Sequence, residues 1–292
     1  MRILVITGAG VSAESGIPTF RGKGGYWRNL DPITLATPEG FARDPGLVWE
    51  WYRERRQRIR DAEPNAAHEA IAKLAEQSRE FLLVTQNVDD LHVRAGMPRD
   101  KMVQIHGDIF VTRCSRCDFS DAGRGGSRAS AEALRRRKPE PPEPSAIHVE
   151  SGRLRSIAPT SSQRTYDLEK LDRLKRSSLI AAQDVDLPEC PQCGALMRPG
   201  VVWFGEQLDV GEIQRVENFL GEGTCDFALV VGTTAAFGYI IDWAVRSAGK
   251  CGQRIEVNPE ETPLSQFATR LMREPAAIAL PRLVNEILAG LL

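Results

Sequence analysis

Four cysteines stand in two closely spaced pairs, Cys114-x-x-Cys117 and Cys190-x-x-Cys193. Four thiolates held by two tight turns can close a tetrahedral zinc site that leaves no position for water. In a reducing compartment such pairs favour a metal over disulfide bonds. We therefore expect one structural Zn²⁺, which folds a small ribbon and takes no part in catalysis. We interpret Cys225 and Cys251, which lie next to apolar segments, as buried bystanders.

A glycine-rich turn follows the first apolar run of the chain. Residues 2–7 (Arg-Ile-Leu-Val-Ile-Thr) lead into Gly8-Ala-Gly-Val-Ser-Ala13, which fits the G-x-G-x-x-G/A dinucleotide fingerprint. Glycines let the backbone approach a pyrophosphate, and a helix N-terminus favours its charge. A tight turn that binds no ligand would have a similar sequence, so this motif alone leaves both interpretations open.

The segment after this turn argues against a dehydrogenase. Such enzymes have a second strand and an acidic ribose ligand about 20 residues further on. This chain instead continues through Gly16-Ile-Pro-Thr-Phe-Arg-Gly22 and Gly24-Gly-Tyr-Trp27. A long loop rich in glycine and aromatic residues is suited to fold over a cofactor as a lid.

Polar side chains follow two further apolar runs. Asn87 and Asp89 come just after residues 81–85, and His106 comes directly after residues 102–105. An Asx turn would account equally well for Asn87 and Asp89, and a lone histidine is more often structural than catalytic. Because ligands of parallel sheets bind beyond the carboxyl ends of the strands, His106 can also project into a ligand cleft.

The elements that would position these residues alternate between strands and helices. Apolar runs predict buried parallel strands at 2–7, 81–85 and 227–231, and shorter ones at 102–105 and 254–257. Helical patterns cover 66–78, with Asn65 as the N-cap, and approximately 46–60. The alternation predicts an α/β fold with a parallel sheet that is covered on both faces.

Composition excludes several classes of protein. The 292 residues suffice for one large domain or two lobes, and the hydrophobic and charged fractions, 42% and 26%, are ordinary for a globular chain. With a net charge of −1, neither nucleic acid nor a membrane surface is an expected partner. No apolar run reaches the roughly 18 residues of a membrane-spanning helix. We expect the first residues to form a buried strand and not a signal peptide, and the protein to be cytoplasmic.

Residues 118–189 interrupt the alternation. They include a Gly-Arg-Gly-Gly-Ser stretch, the basic run Arg135–Lys138 and the proline-rich segment 139–144. This composition predicts a loop or partial disorder, with a weak helix at 167–176. We interpret the basic run as a solvated loop, and an anionic partner is the less favoured alternative.

Several motifs, taken in order, resemble those of the sirtuin family. The cofactor-loop signature is matched by Gly8–Gly22, the second motif by Thr85–His92, the third by Ile105–Gly107, the substrate-binding segment by Arg198–Glu206, and the late cofactor motifs by Gly232–Thr234 and Asn258–Glu260. The resemblance extends from residue 2 to the C-terminus, apart from the insertion at 118–189. The chain departs from the family pattern at two places. Residues Ala235–Tyr239 stand where the family usually has an apolar stretch that contains a proline, and Gly200 stands where acyl-specific relatives often have histidine.

The resemblance implies a single catalytic domain over residues 1–292. A Rossmann-like parallel-sheet lobe would comprise approximately 1–26, 62–112 and 198–292. A smaller lobe would combine a helical module at 27–61 with a zinc ribbon at 113–197. NAD would lie in the crevice between the two lobes, and we expect a monomer.

The resemblance also assigns roles to individual residues. His106 would be the catalytic base, while His68 and His92 are interpreted as packing or helix-end residues and nothing recommends His148. Residues implied to bind the cofactor are Gly8, Ala9, Gly10, Ser12, Glu14, Thr19, Phe20, Arg21, Gln86, Asn87, Asp89, Gly232, Thr233, Thr234, Asn258, Glu260 and Ala276. Residues implied to bind the substrate are Ala36, Tyr52, Arg55, Val201, Val202, Trp203, Phe204, Gly205 and Glu206.

The implied activity is NAD-dependent removal of acyl groups from protein lysine. The acyl oxygen would attack the nicotinamide ribose and expel nicotinamide, and His106 would then deprotonate a ribose hydroxyl as general base. The products would be free lysine and O-acyl-ADP-ribose. Phe20 would shield the ribose from water, and Arg21 would help to hold the loop.

A Tyr-x-x-Arg pair is the basis for predicting which acyl groups on lysine the protein prefers. Tyr52 and Arg55 share one face of the helix predicted at 46–60. By composition alone they would be an exposed tyrosine and one more arginine. Sirtuins that prefer malonyl- or succinyl-lysine carry this pair, however, and Ala36 matches the small residue that widens their acyl pocket.

Two rival functions remain open. An NAD glycohydrolase or ADP-ribosyltransferase could use the same scaffold, but it would not need the Tyr52/Arg55 pair or the intact segment 201–206. A non-catalytic NAD-sensing module would need no general base, so the presence of His106 together with Asn87 and Asp89 argues against it.

Overall fold

The computed structural model describes residues 1–19, 31–122 and 187–292. The strands are Arg2–Thr7 (β1), Glu80–Thr85 (β2), Met102–Gln104 (β3), Gly107–Cys114 (β4), Ser120–Asp121 (β5), Met197–Val201 (β6), Phe227–Val231 (β7), Gln253–Val257 (β8) and Arg270–Met272 (β9). The α-helices are Gly10–Ala13 (α1), Pro32–Leu35 (α2), Pro38–Arg43 (α3), Pro45–Asp61 (α4), Ala66–Gln77 (α5), Leu91–Arg94 (α6), Val210–Gly221 (α7), Gly238–Ala248 (α8) and Ala276–Leu288 (α9). Two 3₁₀ turns lie at Arg99–Lys101 and Ser265–Phe267.

Six parallel strands form the main sheet, in the order β3-β2-β1-β7-β8-β9. Strands predicted at 2–7 and 227–231 are confirmed with those bounds, and the other three differ from prediction by one residue at one end. The strand order reverses direction between β1 and β7. In open parallel sheets such a switch point is where a crevice for ligands forms, beyond the carboxyl ends of the strands.

Alternate residues of β1 face opposite sides of this sheet. Ile3 and Val5 join a core that includes α5 and α9, whereas Leu4 and Ile6 join a core that includes α7 and α8. Because both faces are covered, the central strands β1, β2 and β7 are apolar along most of their length, which explains the continuous apolar runs in the sequence. The α/β prediction, with helices on both faces, is confirmed.

Helices α4 and α5 begin and end within a residue of the predicted bounds. Asn65 caps α5 through its side chain, which accepts from the backbone N–H of Ala67 at 2.9 Å. His68 completes a capping box by accepting the backbone N–H of Asn65 through Nδ1, at 3.2 Å. The predicted N-cap is therefore confirmed.

A second, antiparallel sheet has the order β5-β4-β6. It packs with α2–α4 around a separate core that contains Trp49, Ile109 and Trp203. The predicted lobe boundaries at 112 and 198 fall within β4 and β6, so the division into lobes stays a prediction. Strand β5 and the Glu189–Leu196 bridge show that both ends of the 118–189 stretch belong to the ribbon.

Some predictions lie outside the described residues. They are the part of the predicted lid at residues 20–27, which includes Phe20 and Arg21, the basic run Arg135–Lys138, His148 and the weak helix at 167–176. Among the helices that the structure describes, none is both long and apolar enough to cross a membrane.

Candidate active site

Two tight turns meet at the switch point of the main sheet. Gly8 donates its backbone N–H to Val231 at 3.0 Å, and Gly10 donates to the carbonyl of Gly232 at 2.8 Å. A Cβ on Gly10 would lie only 2.7 Å from the Cα of Gly232, so the two turns can approach only because both residues are glycine. This contact brings the first predicted cofactor motif against Gly232–Thr234.

The side chain of Gln86 connects the second cofactor motif to the same turn. Its Nε2 donates to Thr233 Oγ1 at 2.9 Å. On the other side of this turn, Asn258 donates through Nδ2 to the carbonyl oxygen of Thr233 at 2.7 Å. The structure thus assembles at one edge of the sheet three predicted cofactor residues that lie far apart in sequence.

Ser12, Asn87 and Asp89 form a buried polar cluster beside this edge. The hydroxyl of Ser12 donates to Asp89 Oδ2 at 2.9 Å and accepts from Asn87 Nδ2 at 3.0 Å. Burial raises the pKa of Asp89 to about 6, although hydrogen bonds from the Leu91 N–H and from Ser12 act in the opposite direction. A carboxyl with such a pKa can change protonation state near neutral pH, as functional sites often require.

His68 and His92 lie deeper than this cluster and are fully enclosed. Their rings are in edge contact, with centroids 4.8 Å apart, and His92 Nε2 lies 3.2 Å from Thr7 Oγ1. Burial lowers the pKa of His68 to about 4, so the ring is neutral at physiological pH. These contacts agree with the interpretation of both histidines as packing or helix-end residues.

His106 sits between β3 and β4 with both ring nitrogens engaged. Nδ1 lies 2.9 Å from the carbonyl oxygen of Gln86, and Nε2 lies 2.8 Å from the hydroxyl of Tyr239. Burial lowers the pKa of His106, although the Gln86 carbonyl raises it. The ring is therefore neutral, as a general base must be before it accepts a proton.

The predicted substrate residues converge on the helical side of the site. Tyr52 on α4 is 0% exposed, and its hydroxyl accepts the indole N–H of Trp203 at 2.9 Å. Ala36 accepts the backbone N–H of Phe204 at 2.9 Å, and Val202 donates to the carbonyl of His106 at 2.9 Å. Backbone hydrogen bonds thereby connect the segment 201–206 both to His106, the predicted base, and to Ala36 of the predicted acyl pocket.

Arg55 lies one turn along α4 from Tyr52. Its guanidinium carbon is 4.8 Å from the centroid of the Trp51 ring and 5.5 Å from that of Tyr52. Burial lowers the pKa of Arg55, while the nearby Tyr52 and Asp89 raise it. The electrostatic influence of Asp89 on Arg55 places this cation at the boundary between the polar cluster and the substrate side.

Two predicted cofactor residues have structural contacts instead. Glu14 accepts the backbone N–H of Ala277 at 2.8 Å, so it caps the start of α9 beside the buried Ala276. The side chain of Glu260 is exposed, and its backbone N–H closes an Asx turn on Asn258 Oδ1 at 3.2 Å. Their roles in binding a cofactor stay predictions.

The four cysteines of the two C-x-x-C pairs come together as predicted. All four Sγ atoms lie within 4.8 Å of one another, with Cys114–Cys193 at 3.4 Å and Cys117–Cys190 at 3.6 Å. A tetrahedral zinc site with Zn–S bonds of about 2.3 Å requires S–S separations of about 3.8 Å. The donor set therefore fits one structural Zn²⁺ held by four thiolates.

Of the other two cysteines, Cys225 is buried as expected, but the expectation for Cys251 was wrong. Cys251 is exposed because it lies in the turn between α8 and β8, which Gly249 enters with a φ of 55°. Apolar neighbours along the sequence do not bury a residue that stands in a turn.

Tyr239 contacts His106 although the sequence predicts no role for it. It belongs to Ala235–Tyr239, the stretch that departs from the sirtuin pattern. That departure is itself the available sequence signal, because it places an aromatic hydroxyl beside a predicted cofactor turn where the family usually has apolar residues and a proline.

Comparisons with known proteins agree with this geometry. A family model described as the Sir2 family matches residues 8–237. An NAD-dependent protein deacylase of Pyrococcus abyssi is 38% identical over 286 residues, which cover 97% of this chain and 92% of that protein. The mitochondrial NAD-dependent protein deacylase sirtuin-5 of Danio rerio is 38% identical over 283 residues, covering 96% and 81%. A solved complex of a Sir2 homologue with NAD is 35% identical, with a TM-score of 0.71 and coverage of 100% of this chain and 91% of that one.

Proposed function

This chain belongs to the Sir2 family, and we propose that it is an NAD-dependent protein-lysine deacylase that prefers succinyl- and malonyl-lysine over acetyl-lysine. The observation that carries the acyl preference is the position of Arg55 beside Tyr52 on the substrate side of the site. Succinyl and malonyl groups end in a carboxylate, which an acetyl group lacks.

The partly buried position of Arg55 has an energetic consequence for ligand choice. Arginine stays protonated at every physiological pH, so an acyl carboxylate that reaches Arg55 meets a positive charge where solvent is limited. A bidentate pair with this carboxylate would supply charge-assisted hydrogen bonds in the geometry that a guanidinium offers. An acetyl group has no carboxylate and gains no such pair, so Arg55 favours succinyl over acetyl.

The hydroxyl of Tyr52 supports the same preference. The indole nitrogen of Trp203 is a donor only, so Tyr52 must accept in that bond and can direct its own hydrogen elsewhere. Burial raises the pKa of Tyr52, which keeps the hydroxyl protonated. It can therefore donate to the acyl carboxylate, while the small side chain of Ala36 leaves room for the longer acyl chain.

The remaining residues serve the chemistry at the ribose. NAD supplies, when bound, the ribose to which the acyl group is transferred. The Gln86 carbonyl holds Nδ1 of His106, so that Nε2 is directed to accept a proton from a hydroxyl in the cleft. Ser12, Asn87 and Asp89 form the polar wall that would face the nicotinamide amide, and Gln86 Nε2 orients Thr233.

Paired kinetics on matched succinyl and acetyl peptides test this proposal. Wild type should show the higher kcat/KM on the succinyl peptide. Arg55→Met should lower the succinyl value by roughly 10- to 100-fold, as expected for the loss of a hydrogen bond to a charged group, and should spare the acetyl value. Arg58→Met, at an exposed arginine of the same helix, is the control.

Two outcomes would contradict the proposal. Equal losses on both peptides would make Arg55 a structural residue. If mass spectrometry found ADP-ribose and an unchanged acyl peptide, the chain would be an NAD glycohydrolase instead.

The partners and location that we propose are acylated proteins and the cytoplasm. Four free thiols gathered for a metal suit a reducing compartment. We also propose that the chain acts as a monomer, which sedimentation at several concentrations would test.

A further inference from the structure

The hydrogen bonds of His106 define which nitrogen carries its proton. A backbone carbonyl can only accept, so the 2.9 Å contact with the Gln86 oxygen requires that Nδ1 be the N–H donor. In a neutral ring Nε2 then holds the lone pair. The hydroxyl of Tyr239, 2.8 Å from Nε2, must therefore be the donor in that bond. Burial raises the pKa of Tyr239, so this hydroxyl keeps its proton.

The side chain of Tyr239 packs between Phe237, which precedes α8, and Trp243 within α8. Its ring stacks on Phe237, with centroids 5.5 Å apart and planes at 15°, and it contacts Trp243 one turn further on at 5.0 Å. Trp243 is fixed in turn by a 2.8 Å bond from its indole N–H to Glu217. The preceding turn contains Ala235 at a φ of 46°, which is uncommon for a residue other than glycine.

The Nε2 lone pair is also the acceptor that a general base must offer to its substrate. A single sp² lone pair accepts one well-directed hydrogen bond, so a ribose hydroxyl and Tyr239 compete for the same position. We propose that Tyr239 is a placeholder for the substrate hydroxyl: it occupies Nε2 of His106 in the unliganded protein and gives way when the ribose of NAD arrives. This inference rests on the proposed function only in naming NAD as the ligand.

The hydrogen bond between Tyr239 and His106 should lower the affinity of the protein for NAD by a measurable amount. Binding must break the Tyr239–His106 bond, so only the fraction of molecules in which it is open binds at full strength. Tyr239→Phe removes the hydroxyl and keeps the ring contacts with Phe237 and Trp243. Because the Gln86 bond remains, the base keeps its reactive tautomer. The variant should therefore bind NAD more tightly and show a lower KM for NAD, by roughly 2- to 12-fold, the range given by one net hydrogen bond.

A double-mutant cycle isolates this contact from other effects of the substitution. The Kd for NAD is measured by calorimetry for wild type, Tyr239→Phe, His106→Ala and the double variant. In the His106→Ala background, Tyr239→Phe should leave the Kd unchanged, because the bond is already absent. Ile241→Val, on the same helix, is the control for unspecific changes.

Nitrogen NMR of the histidine ring gives a readout that needs no turnover. In wild type, Nε2 of His106 should show the shift of a hydrogen-bonded unprotonated nitrogen. That resonance should move in Tyr239→Phe and, in wild type, on addition of NAD, while Nδ1 stays protonated. If the Kd for NAD and the Nε2 shift are both unchanged in Tyr239→Phe, the placeholder is refuted.

The opposite kinetic result would also overturn the inference. A fall of about 10²-fold in kcat for Tyr239→Phe, with KM unchanged, would mean that the hydroxyl relays the proton and does not step aside. Failure of the proposed function is distinguishable, because a protein that binds NAD but removes no acyl group would still give the Kd cycle and the NMR shifts.

Discussion

The guanidinium carbon of Arg198 lies 3.3 Å from the centroid of the Trp203 ring. The same side chain donates to both carboxylate oxygens of Glu206, at 2.5 and 2.8 Å. Glu206 also accepts the backbone N–H of Trp203 and pairs with Arg113, which precedes the zinc ligand Cys114. Glu206 thus connects both ends of the predicted substrate segment 198–206 to each other and to the ribbon strand β4.

Glu206→Gln should weaken the contacts of Glu206 with Arg198 and Arg113 and so destabilise the protein. Burial raises the pKa of Glu206, but its bonds to Arg198 and Trp203 outweigh burial and hold the pKa below its ordinary value, so the carboxylate stabilises the fold at neutral pH. We expect a loss of about 1.5–3 kcal/mol in the free energy of unfolding, because the buried Arg198 loses its charged partner. The KM for acyl peptide should rise. Denaturant unfolding and peptide kinetics measure both effects.

Glu274→Gln is the control for this prediction. Glu274 forms an exposed pair with Arg282, so its replacement should change the free energy of unfolding by less than about 0.5 kcal/mol. An equal effect of the two substitutions would contradict the expectation.

His106→Ala should abolish most turnover without unfolding the protein. We propose the ring as the general base, and the loss of a general base typically costs about 10²-fold or more in rate. Circular dichroism and NAD binding should stay close to wild type, since the neighbouring Gln86 contact is made by a backbone carbonyl. A folded variant with near-normal deacylation would remove His106 from this role.

The stability of the protein should depend on Asp89 between about pH 4 and pH 6. Its pKa is raised from an ordinary 3.8 to about 6, so the folded state holds the proton more tightly than the unfolded state does. The contribution is therefore favourable below pH 4 and is lost as pH rises through 6. Relative to wild type, Asp89→Asn should gain up to about 3 kcal/mol over that interval and then reach a plateau. Unfolding measured at each pH tests this, with exposed Asp61→Asn as control. A difference that does not change with pH would show that burial does not shift this carboxyl.

Removal of zinc should unfold the ribbon and lower the melting temperature. Structural zinc binding is coupled to folding, and the four thiolates have the separations that the ion requires. Purified protein should contain one zinc per chain, and Cys114→Ser should lose it. Cys251→Ser, at an exposed cysteine outside the cluster, should retain it. If a chelator strips the metal and the melting temperature is unchanged, the ion is not structural.

The sequence predicts those parts of the molecule that local pattern determines. Strand β1 is buried on both faces, so its apolar run coincides with its structural bounds, and Asn65 signals the start of α5 through capping chemistry. The bond between His106 and Tyr239 joins residues far apart along the chain, and no periodicity encodes such a contact. No local pattern indicates the antiparallel pairing of β4 with β6 either. These strands are also far apart along the chain, and the register of their pairing is interrupted between Gly107 and Thr112.

The thiolate cluster has a consequence for how the length of the chain between Cys117 and Cys190 can vary. In polymer terms the metal is a clip that brings together two cysteine pairs separated by 72 residues between Cys117 and Cys190. The entropy of closing a chain segment grows only with the logarithm of the number of residues, so doubling this separation would cost about 0.6 kcal/mol. The energetics of the clip therefore place only a weak constraint on how far apart along the chain the two pairs stand.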